Sequence, residues 1–429
     1  MALTATADEF ATAQHRRGRA YVSAGLKTTL DRLVVVWIFM GGLVIIEPSP
    51  YEFLFALVLP VALFAGLKIY ASTAPLLLLT IAFSPFAIIG AFQADHTPPS
   101  TTLIYAAVTI FLMLSGFFAA TYVAEAPQER MRRIIRAYTL VAVLSALIGT
   151  LGYLHLIPGG YNLLTLNERA KALFKDPNVF APFLILPAIY AAQRLLLSRG
   201  RRSLLINGAI VMALLIGVFV SFSRAAWGNL LGSAVLLFIL TLAFEANARQ
   251  KVRMIILAMV GLVMVVCAIG GLLSIPSVNE LFAVRAEVEQ SYDSGATGRF
   301  GRQGYAFDLG LTHPFGIGPA EFREIAAVPE EAHDSYATTL HVYGWGGALI
   351  WDVIILLTLA RSFRALVRKA ANRRLLIPLL ATYVPLIIEA GIIDIDHWRH
   401  YYLITGLIWG VTAGYGRLKP GEDRITALV

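Results

Sequence analysis

Residues 204–244 read LLINGAIVMALLIGVFVSFSRAAWGNLLGSAVLLFILTLAF, and Arg224 is the one charged residue among them. It stands between two apolar runs, Leu204 to Phe222 and Ala225 to Phe244, each close to the roughly 20 residues of helix that cross a hydrocarbon core about 30 Å thick. Because backbone amides in hydrocarbon must bond within the protein, such runs predict membrane-spanning helices.

Composition extends this conclusion to the whole chain. Of 429 residues, 58% are hydrophobic and 14% are charged, whereas soluble domains carry about 25% charged residues. This composition excludes an ordinary soluble enzyme. The net charge of +8 would suggest nucleic acid as a partner, but the basic residues are sorted into alternate connections, as membrane topology requires. We therefore expect a bilayer and no nucleic acid.

The chain contains further runs of this kind, bounded by charge, Pro or Gly. They predict an all-α polytopic membrane protein with about twelve transmembrane helices and a large periplasmic loop between spans 9 and 10. The twelve runs are Leu33 to Ile46, Phe53 to Ile69, Pro75 to Phe92, Thr101 to Val123, Ile134 to Ile157, Val179 to Leu197, Leu204 to Phe222, Ala225 to Phe244, Met254 to Leu273, Ser335 to Ala360, Leu375 to Ile393 and Tyr401 to Tyr415.

The distribution of positive charge predicts the orientation of these spans. Most of the 35 Lys and Arg residues fall at the N-terminus, at the C-terminus and in every second connection, which places both termini in the cytoplasm. The predicted organisation is a cytoplasmic N-terminal tail over 1–32, a single transmembrane domain over 33–415 and a cytoplasmic C-terminal tail over 416–429. Two long loops, 158–178 and 274–332, are then periplasmic, and we expect the second to fold as short helices over the outer mouth.

Arg224 is the clearest anomaly in this pattern. An arginine at the end of a membrane segment must snorkel, pair or meet an anion, because leaving it in hydrocarbon costs several kcal/mol. Ser221, Arg224 and Trp227 recur every three residues, which predicts that they share one helical face. The functional interpretation is an anion clamp that faces the bundle interior. The alternative is a snorkelling interface arginine with Trp227 as a belt residue.

A second basic cluster, Thr297-Gly-Arg-Phe-Gly-Arg-Gln-Gly, lies in the larger loop. Arg299 and Arg302 are three residues apart, and guanidinium forks suit the oxygens of phosphate or pyrophosphate. Solvated surface arginines are the alternative. The following His313-Pro-Phe-Gly-Ile-Gly-Pro segment predicts a tight structural corner, with His313 as a turn residue.

The same loop ends at a histidine that is well placed for acid–base chemistry. His333 precedes the tenth span, at the outer surface, where a neutral imidazole can take a proton near physiological pH. Asp334 or Ser335 is expected to cap the helix, and Asp334 also stands close enough to His333 in sequence to raise its basicity. His341, deeper in the span, is expected to be a hydrogen-bonded packing residue. No metal-ligand spacing accompanies these residues, so no metal is expected.

The smaller loop adds cations to this outer surface. Arg169, Lys171 and Lys175 precede Asp176-Pro177-Asn178, a turn that leads into the sixth span with Asn178 as the expected cap. We expect Arg169 and Lys175 to help to bind an anionic ligand together with Arg224, Arg299 and Arg302.

At this point the chain resembles the O-antigen ligase and polymerase superfamily of bacterial envelope glycosyltransferases. The resemblance covers most of the chain in topology, and its specific part extends from Arg169 to Gly347. Four elements in order carry it: Asp-Pro-Asn before a span (176–178), Ser-Arg at the outer end of a span (223–224), Gly-Arg followed by His-Pro-x-Gly-x-Gly (298–299 and 313–318), and His333 at the start of the next span.

The resemblance implies an undecaprenyl pyrophosphate-linked glycan donor and a lipid or glycan acceptor, with transfer at the periplasmic face of the bacterial inner membrane. It further implies that Arg224 and Arg299 contact the pyrophosphate and that His333 activates the acceptor hydroxyl in a metal-independent, inverting displacement without a cofactor. Arg302, Arg169, Lys175, Ser221, Trp227 and Asp334 are the expected substrate-binding residues. Either Arg299 or Arg302 corresponds to the arginine of this family motif, and the sequence leaves the choice open.

Three alternatives to a ligase are consistent with parts of the sequence: a polymerase, a transporter and a scaffold. Polymerases, which extend repeat units, share these motifs with ligases that transfer to lipid A core. A twelve-span secondary transporter explains the span count but predicts two similar halves, which the sequence lacks. A scaffold does not require Arg224, Arg299 and His333 to converge. A separation of these three beyond about 20 Å would favour the transporter or the scaffold, because acid–base chemistry on one pyrophosphate and sugar cannot bridge it.

Overall fold

The computed structural model describes residues 25–46, 48–198, 200–287, 295, 298–326, 328, 330–416 and 427–428. These residues are mostly helical, which confirms the predicted all-α class. The helices are α1 (25–40), α2 (Pro50–Phe64), α3 (Ala74–Ala91), α4 (Pro99–Glu125), α5 (Pro127–Tyr153), α6 (Tyr161–Leu164), α7 (Pro177–Leu197), α8 (Arg201–Val220), α9 (Arg224–Phe244), α10 (Ala248–Leu273), α11 (Pro276–Ala286), α12 (Arg299–Thr312), α13 (Glu321–Ala326), α14 (Ser335–Val367), α15 (Arg373–Glu389) and α16 (Arg399–Val411).

Each of the twelve predicted apolar runs overlaps one of these helices. Eight of them, α3, α4, α5, α7, α8, α9, α10 and α14, are long and apolar enough to cross a membrane. The chain is therefore a multi-pass membrane protein. Helices α2, α15 and α16 are shorter, at 15, 17 and 13 residues, so the number twelve stays a prediction.

Helix α10 has a largely exposed apolar surface. Met254 is its one fully buried residue, and apolar side chains such as Met259 and Leu262 are more than half exposed. A helix that is apolar on all sides and buried on almost none of them has the surface expected for contact with lipid.

Close packing at small residues brings the helices of the core together. Gly116 on α4 faces Gly406 on α16, and a methyl group on Gly406 would collide with the backbone of Gly116. Small residues allow such backbone approach in membrane helices. This contact fixes α16, and with it the connection between α15 and α16, beside α4.

Two short antiparallel strand pairs complete the secondary structure. Strand β1 (Ile69–Tyr70) pairs with β4 (Ala427–Leu428). Strands β2 (Thr165–Leu166) and β3 (Arg169–Ala170) form a hairpin within the smaller predicted loop. The larger predicted loop contains α11, α12 and α13, so the expectation of short helices there is confirmed.

The His-Pro-x-Gly-x-Gly segment forms the corner that its sequence predicts. Gly316 and Gly318 have φ values of 80° and 94°, a left-handed conformation that favours glycine. The corner packs on Gly344, where α14 is interrupted at a φ of 69°. Nδ1 of His313 forms a hydrogen bond of 2.8 Å with the carbonyl oxygen of Leu309. This local contact agrees with the predicted role of His313 as a turn residue.

The predicted tails fall largely outside the described residues. Residues 1–24, 417–426 and 429 are in this group, and α1 already includes residue 25. The expectation that both tails are cytoplasmic stays a prediction.

Candidate active site

A short turn between two helices lies beside Arg224. Helix α8 ends at Val220, and α9 begins at Arg224 after Phe222, whose φ is 49°. Ser223 caps α9 by accepting a hydrogen bond from the Ala226 amide. The prediction that Ser221, Arg224 and Trp227 share one helical face is therefore wrong, because two helices meet where the spacing implied one.

Arg224 and Arg299 line one cavity of about 1160 Å³. Helix α9 contributes Arg224 from its first turn, and α12 contributes Arg299 as its first residue. A third arginine, Arg285 at the end of α11, lines the same cavity. Three guanidinium groups at helix ends around one space favour an anionic ligand.

Aromatic side chains line the cavity beside these arginines. Trp227 and Phe282 lie there with their ring centroids 5.9 Å apart, and Phe300 follows Arg299 on α12. Trp227 and Phe282 also line a second cavity of about 470 Å³, which is lined almost entirely by apolar side chains of α7, α8, α9 and α10. A space lined by arginines thus adjoins an apolar one, an arrangement suited to an amphipathic lipid with an anionic head.

Arg302 has a different environment from that of Arg299. Its Nη2 lies 2.8 Å from Oε2 of Glu330 in a salt bridge, and Arg302 is not among the described residues that line the cavity. This geometry favours Arg299 over Arg302 as the arginine that contacts an anion with Arg224.

His333 lies beside an aspartate from a distant part of the sequence. Its Nδ1 is 3.5 Å from Oδ2 of Asp394, in the connection between α15 and α16, and its Nε2 is 3.8 Å from Oε2 of Glu330. The other carboxylate oxygen of Asp394 accepts a hydrogen bond of 2.7 Å from the hydroxyl of Thr338. A histidine oriented through Nδ1 by a carboxylate, with Nε2 facing the exposed side chain of Glu330, is an arrangement that suits a general base.

Asp394 and Asp396 lie in one polar connection outside the spanning helices, where Asp396 is buried and Asp394 is partly exposed. Burial acts to raise the pKa of Asp394, but its contacts with His333 and Thr338 outweigh burial and leave that pKa below its usual value. Burial and then the charge of Asp394 raise the pKa of Asp396 to about 7. Asp394 is therefore the ionised member of the pair, so a negative charge faces His333.

Gln303 joins His333 to the cationic cavity. This residue is one helical turn beyond Arg299 on α12, and its Nε2 donates a hydrogen bond of 2.9 Å to the backbone carbonyl of His333. Since the rise over four helical residues is about 6 Å, the α-carbons of Arg299 and His333 lie less than about 20 Å apart. His333 is held in a left-handed conformation with a φ of 57°, which is uncommon for a residue with a side chain.

Asp334 has a local structural contact instead of a contact with His333. Its Oδ1 accepts hydrogen bonds from the amides of Tyr336 and Ala337, so it caps α14. Burial raises the pKa of this carboxyl, although the two amide bonds act against the shift. The carboxylate beside His333 is Asp394, which sequence proximity did not indicate.

Three other predicted substrate-binding residues are not among the described residues that line the cavity: Arg169, Ser221 and Lys175. Arg169 is buried and donates hydrogen bonds to the carbonyl of Ser221 and to Oδ1 of Asn178. The hydroxyl of Ser221 donates in turn to the Val218 carbonyl. Lys175 is exposed. The contacts of Arg169 join the smaller loop to the end of α8, which fits a positioning role for it.

Two expectations about individual residues need correction. Asp176 caps α7 by accepting from the Asn178 amide, whereas Asn178 was the expected cap. His341 is buried and packs on Phe322 at 5.2 Å, as expected of a packing residue, but neither ring nitrogen has a hydrogen-bond partner among the described residues.

Sequence reasoning missed three residues of this site: Arg285, Glu389 and Asp394. The signal for Asp394 was the polar segment Asp-Ile-Asp-His-Trp-Arg-His at 394–400, which interrupts an apolar sequence. Arg285 and Glu389 stand alone near the ends of their helices, and nothing in their spacing connects them with Arg224. Across the described residues, no group of three or more His, Cys, Asp or Glu is arranged to hold a metal ion.

Comparison with known proteins connects this site to a family. Residues 209–351, about a third of the chain, match the family model described as O-Antigen ligase. This segment contains Arg224, Arg285, Arg299 and His333. No curated protein matches the chain.

Proposed function

We propose that the protein is a glycosyltransferase of the bacterial inner membrane, because residues 209–351 match the family model described as O-Antigen ligase. Its donor is a glycan linked to undecaprenyl pyrophosphate, and its acceptor is a hydroxyl group of lipid A core or a similar molecule at the periplasmic face. Both termini are then cytoplasmic, in agreement with the positive charge of the alternate connections.

One observation carries this proposal: Arg224 and Arg299, far apart in sequence, line the same cavity. Both lie at the ends of helices, where a pyrophosphate in the lipid headgroup region can reach them. The adjoining apolar cavity offers space for a polyprenyl chain. Ionisable residues in transporters more often lie at mid-membrane, so this arrangement supports an enzyme over a transporter.

The proposed reaction is an inverting displacement without a metal ion. Nε2 of His333 removes the proton from the acceptor hydroxyl, and the oxygen attacks the anomeric carbon of the donor sugar. The bond between that carbon and the pyrophosphate oxygen breaks, and the undecaprenyl pyrophosphate leaves with the electron pair. Arg224 and Arg299 offset the charge that develops on it, while Asp394 orients the imidazole and stabilises its protonated form.

The test is glycan transfer by purified protein in lipid vesicles, supplied with the lipid-linked glycan and alternative acceptors. Arg224→Ala is expected to reduce transfer at least about 100-fold, the usual effect of removing one charge-stabilising donor. His333→Ala is expected to reduce it by a factor of about 10² to 10⁴. Arg249→Ala provides a matched control, because Arg249 is an exposed arginine in the first turn of α10.

The same assay distinguishes the two branches of the superfamily. A ligase transfers one preformed glycan to the acceptor, whereas a polymerase lengthens the lipid-linked chain by further repeat units. Full activity in Arg224→Ala or His333→Ala protein that is inserted and abundant would remove that residue from the mechanism.

A further inference from the structure

Glu389 is a buried carboxyl group in the wall of the cationic cavity. It is the last residue of α15 and only 3% exposed, and it lines the cavity together with Arg224 and Arg299. Its Oε2 accepts a hydrogen bond of 2.5 Å from Nδ2 of Asn229 on α9. Its Oε1 is buried and has no hydrogen-bond partner among the described residues.

The orientation of Asn229 is fixed from the other side. The hydroxyl of Ser233, one turn further along α9, donates a hydrogen bond of 3.0 Å to Oδ1 of Asn229. In this arrangement the amide NH₂ group of Asn229 points to Glu389, and its hydrogen bond occupies Oε2 alone. Buried polar atoms nearly always have a partner, so the unused Oε1 indicates a group that is supplied by a ligand.

The chemistry of this carboxyl group matches a hydroxyl or amide better than a phosphate. Its unpaired Oε1 can accept a hydrogen bond from an O–H or N–H group, and the hydroxyl and acetamido groups of a sugar offer such donors. A fully ionised phosphate offers only acceptors. The arginines in the same cavity already provide charge-assisted donors for a pyrophosphate.

We propose that Glu389, oriented by Asn229, binds the sugar that is attached directly to the pyrophosphate and thereby selects the donor glycan. This inference rests on the proposed function, since it assigns a second part of the same ligand to the same cavity. Glu389 is a specificity-determining residue in this account and takes no part in proton transfer.

The experiment measures the affinity of the full-length protein in lipid nanodiscs for two probes. One is a sugar-free polyprenyl pyrophosphate, and the other carries a single N-acetylhexosamine. Glu389→Ala is expected to weaken binding of the sugar-bearing lipid about tenfold, the effect of one lost hydrogen bond to a buried group, and to change binding of the sugar-free lipid less than about twofold. Glu389→Gln retains an acceptor for Asn229 and an N–H donor, so a loss below about threefold is expected.

The controls separate a folding defect from a loss of recognition. Glu324→Ala removes an exposed glutamate of α13 and should leave both affinities unchanged. The inference would be overturned if Glu389→Ala lost affinity equally for both lipids or for neither of them. It would also be overturned if the wild-type protein bound both lipids equally. Failure of the wild-type protein to bind the sugar-free lipid would instead overturn the proposed function.

Discussion

Asp394→Asn is the substitution for which the structure gives the most definite expectation. Asparagine has almost the same shape as aspartate but carries no charge, so it removes the anion that lies 3.5 Å from Nδ1 of His333. Two unit charges at this distance interact by about 5 kcal/mol at an effective dielectric constant of 20. Since the imidazole is 34% exposed, solvent screening reduces this value to about 2 kcal/mol, or about a 30-fold loss in kcat.

The assay for this variant is steady-state transfer in vesicles with the donor concentration varied. Because Asp394 acts on the base and lies outside the cavity lining, we expect kcat to fall and the KM for the donor to stay within about twofold. Thr338→Val removes the hydrogen bond of 2.7 Å to Asp394 and should lower kcat about threefold. Asp308→Asn, at an exposed aspartate of α12, is the matched control. Asp394→Asn protein with at least half of the wild-type kcat would refute a catalytic partnership with His333.

Three further predictions test other parts of the account. Arg299→Ala should reduce transfer at least about tenfold more than Arg302→Ala, since Arg302 pairs with an exposed glutamate; the reverse order of activities would assign the pyrophosphate to Arg302. Gly344→Ala should destabilise the protein by about 2 kcal/mol or more, because the residue has a φ of 69° and a methyl group would strike the Pro314 carbonyl; an unchanged thermal midpoint would contradict this. Glu321→Gln should lower the thermal midpoint most between about pH 4.5 and 6.5, and an effect independent of pH would contradict an ion pair between Glu321 and His96.

The pH range for Glu321 follows from its contacts. Its carboxylate accepts hydrogen bonds from the amides of His96 and Thr97 and from the His96 ring. Burial acts to raise the pKa of Glu321, but these bonds outweigh it and lower that pKa below 4.5, so its stabilising effect is lost as the pH falls through the lowered value. The hydrogen bond with Glu321 raises the pKa of His96 above 6.5, so its contribution is lost as the pH rises through the raised value. Both contributions are present between these limits.

Much of the architecture could be predicted because hydrocarbon imposes a simple rule. A span must be largely helical and largely apolar, so each of the twelve runs overlaps a helix in the structure. The sequence predicts a boundary between two spans at residues 222–225, but it does not predict the turn at Phe222, because the positive φ there is carried by a bulky residue that no glycine or proline accompanies. Periodicity therefore placed Ser221 and Trp227 on one face across a turn.

Part of the site also followed from the sequence. Arg224 is predicted because a cation beside an apolar run needs a partner, and Arg299 because guanidinium groups suit the oxygens of a phosphate. Both line one cavity. Asp394 was missed because only the packing of α14, α15 and α16 brings it to His333. Asp334, the nearer carboxylate in sequence, bonds to the helix terminus instead.

The central claim is that Arg224 and Arg299 hold one pyrophosphate within reach of His333. An experimental structure of the protein with a sugar-bearing polyprenyl pyrophosphate tests it most directly. We predict phosphate oxygens within about 3 Å of both guanidinium groups, with the anomeric carbon on the side of the cavity that faces His333. A lipid headgroup bound elsewhere, with Arg224 and Arg299 turned to lipid or open water, would contradict the account.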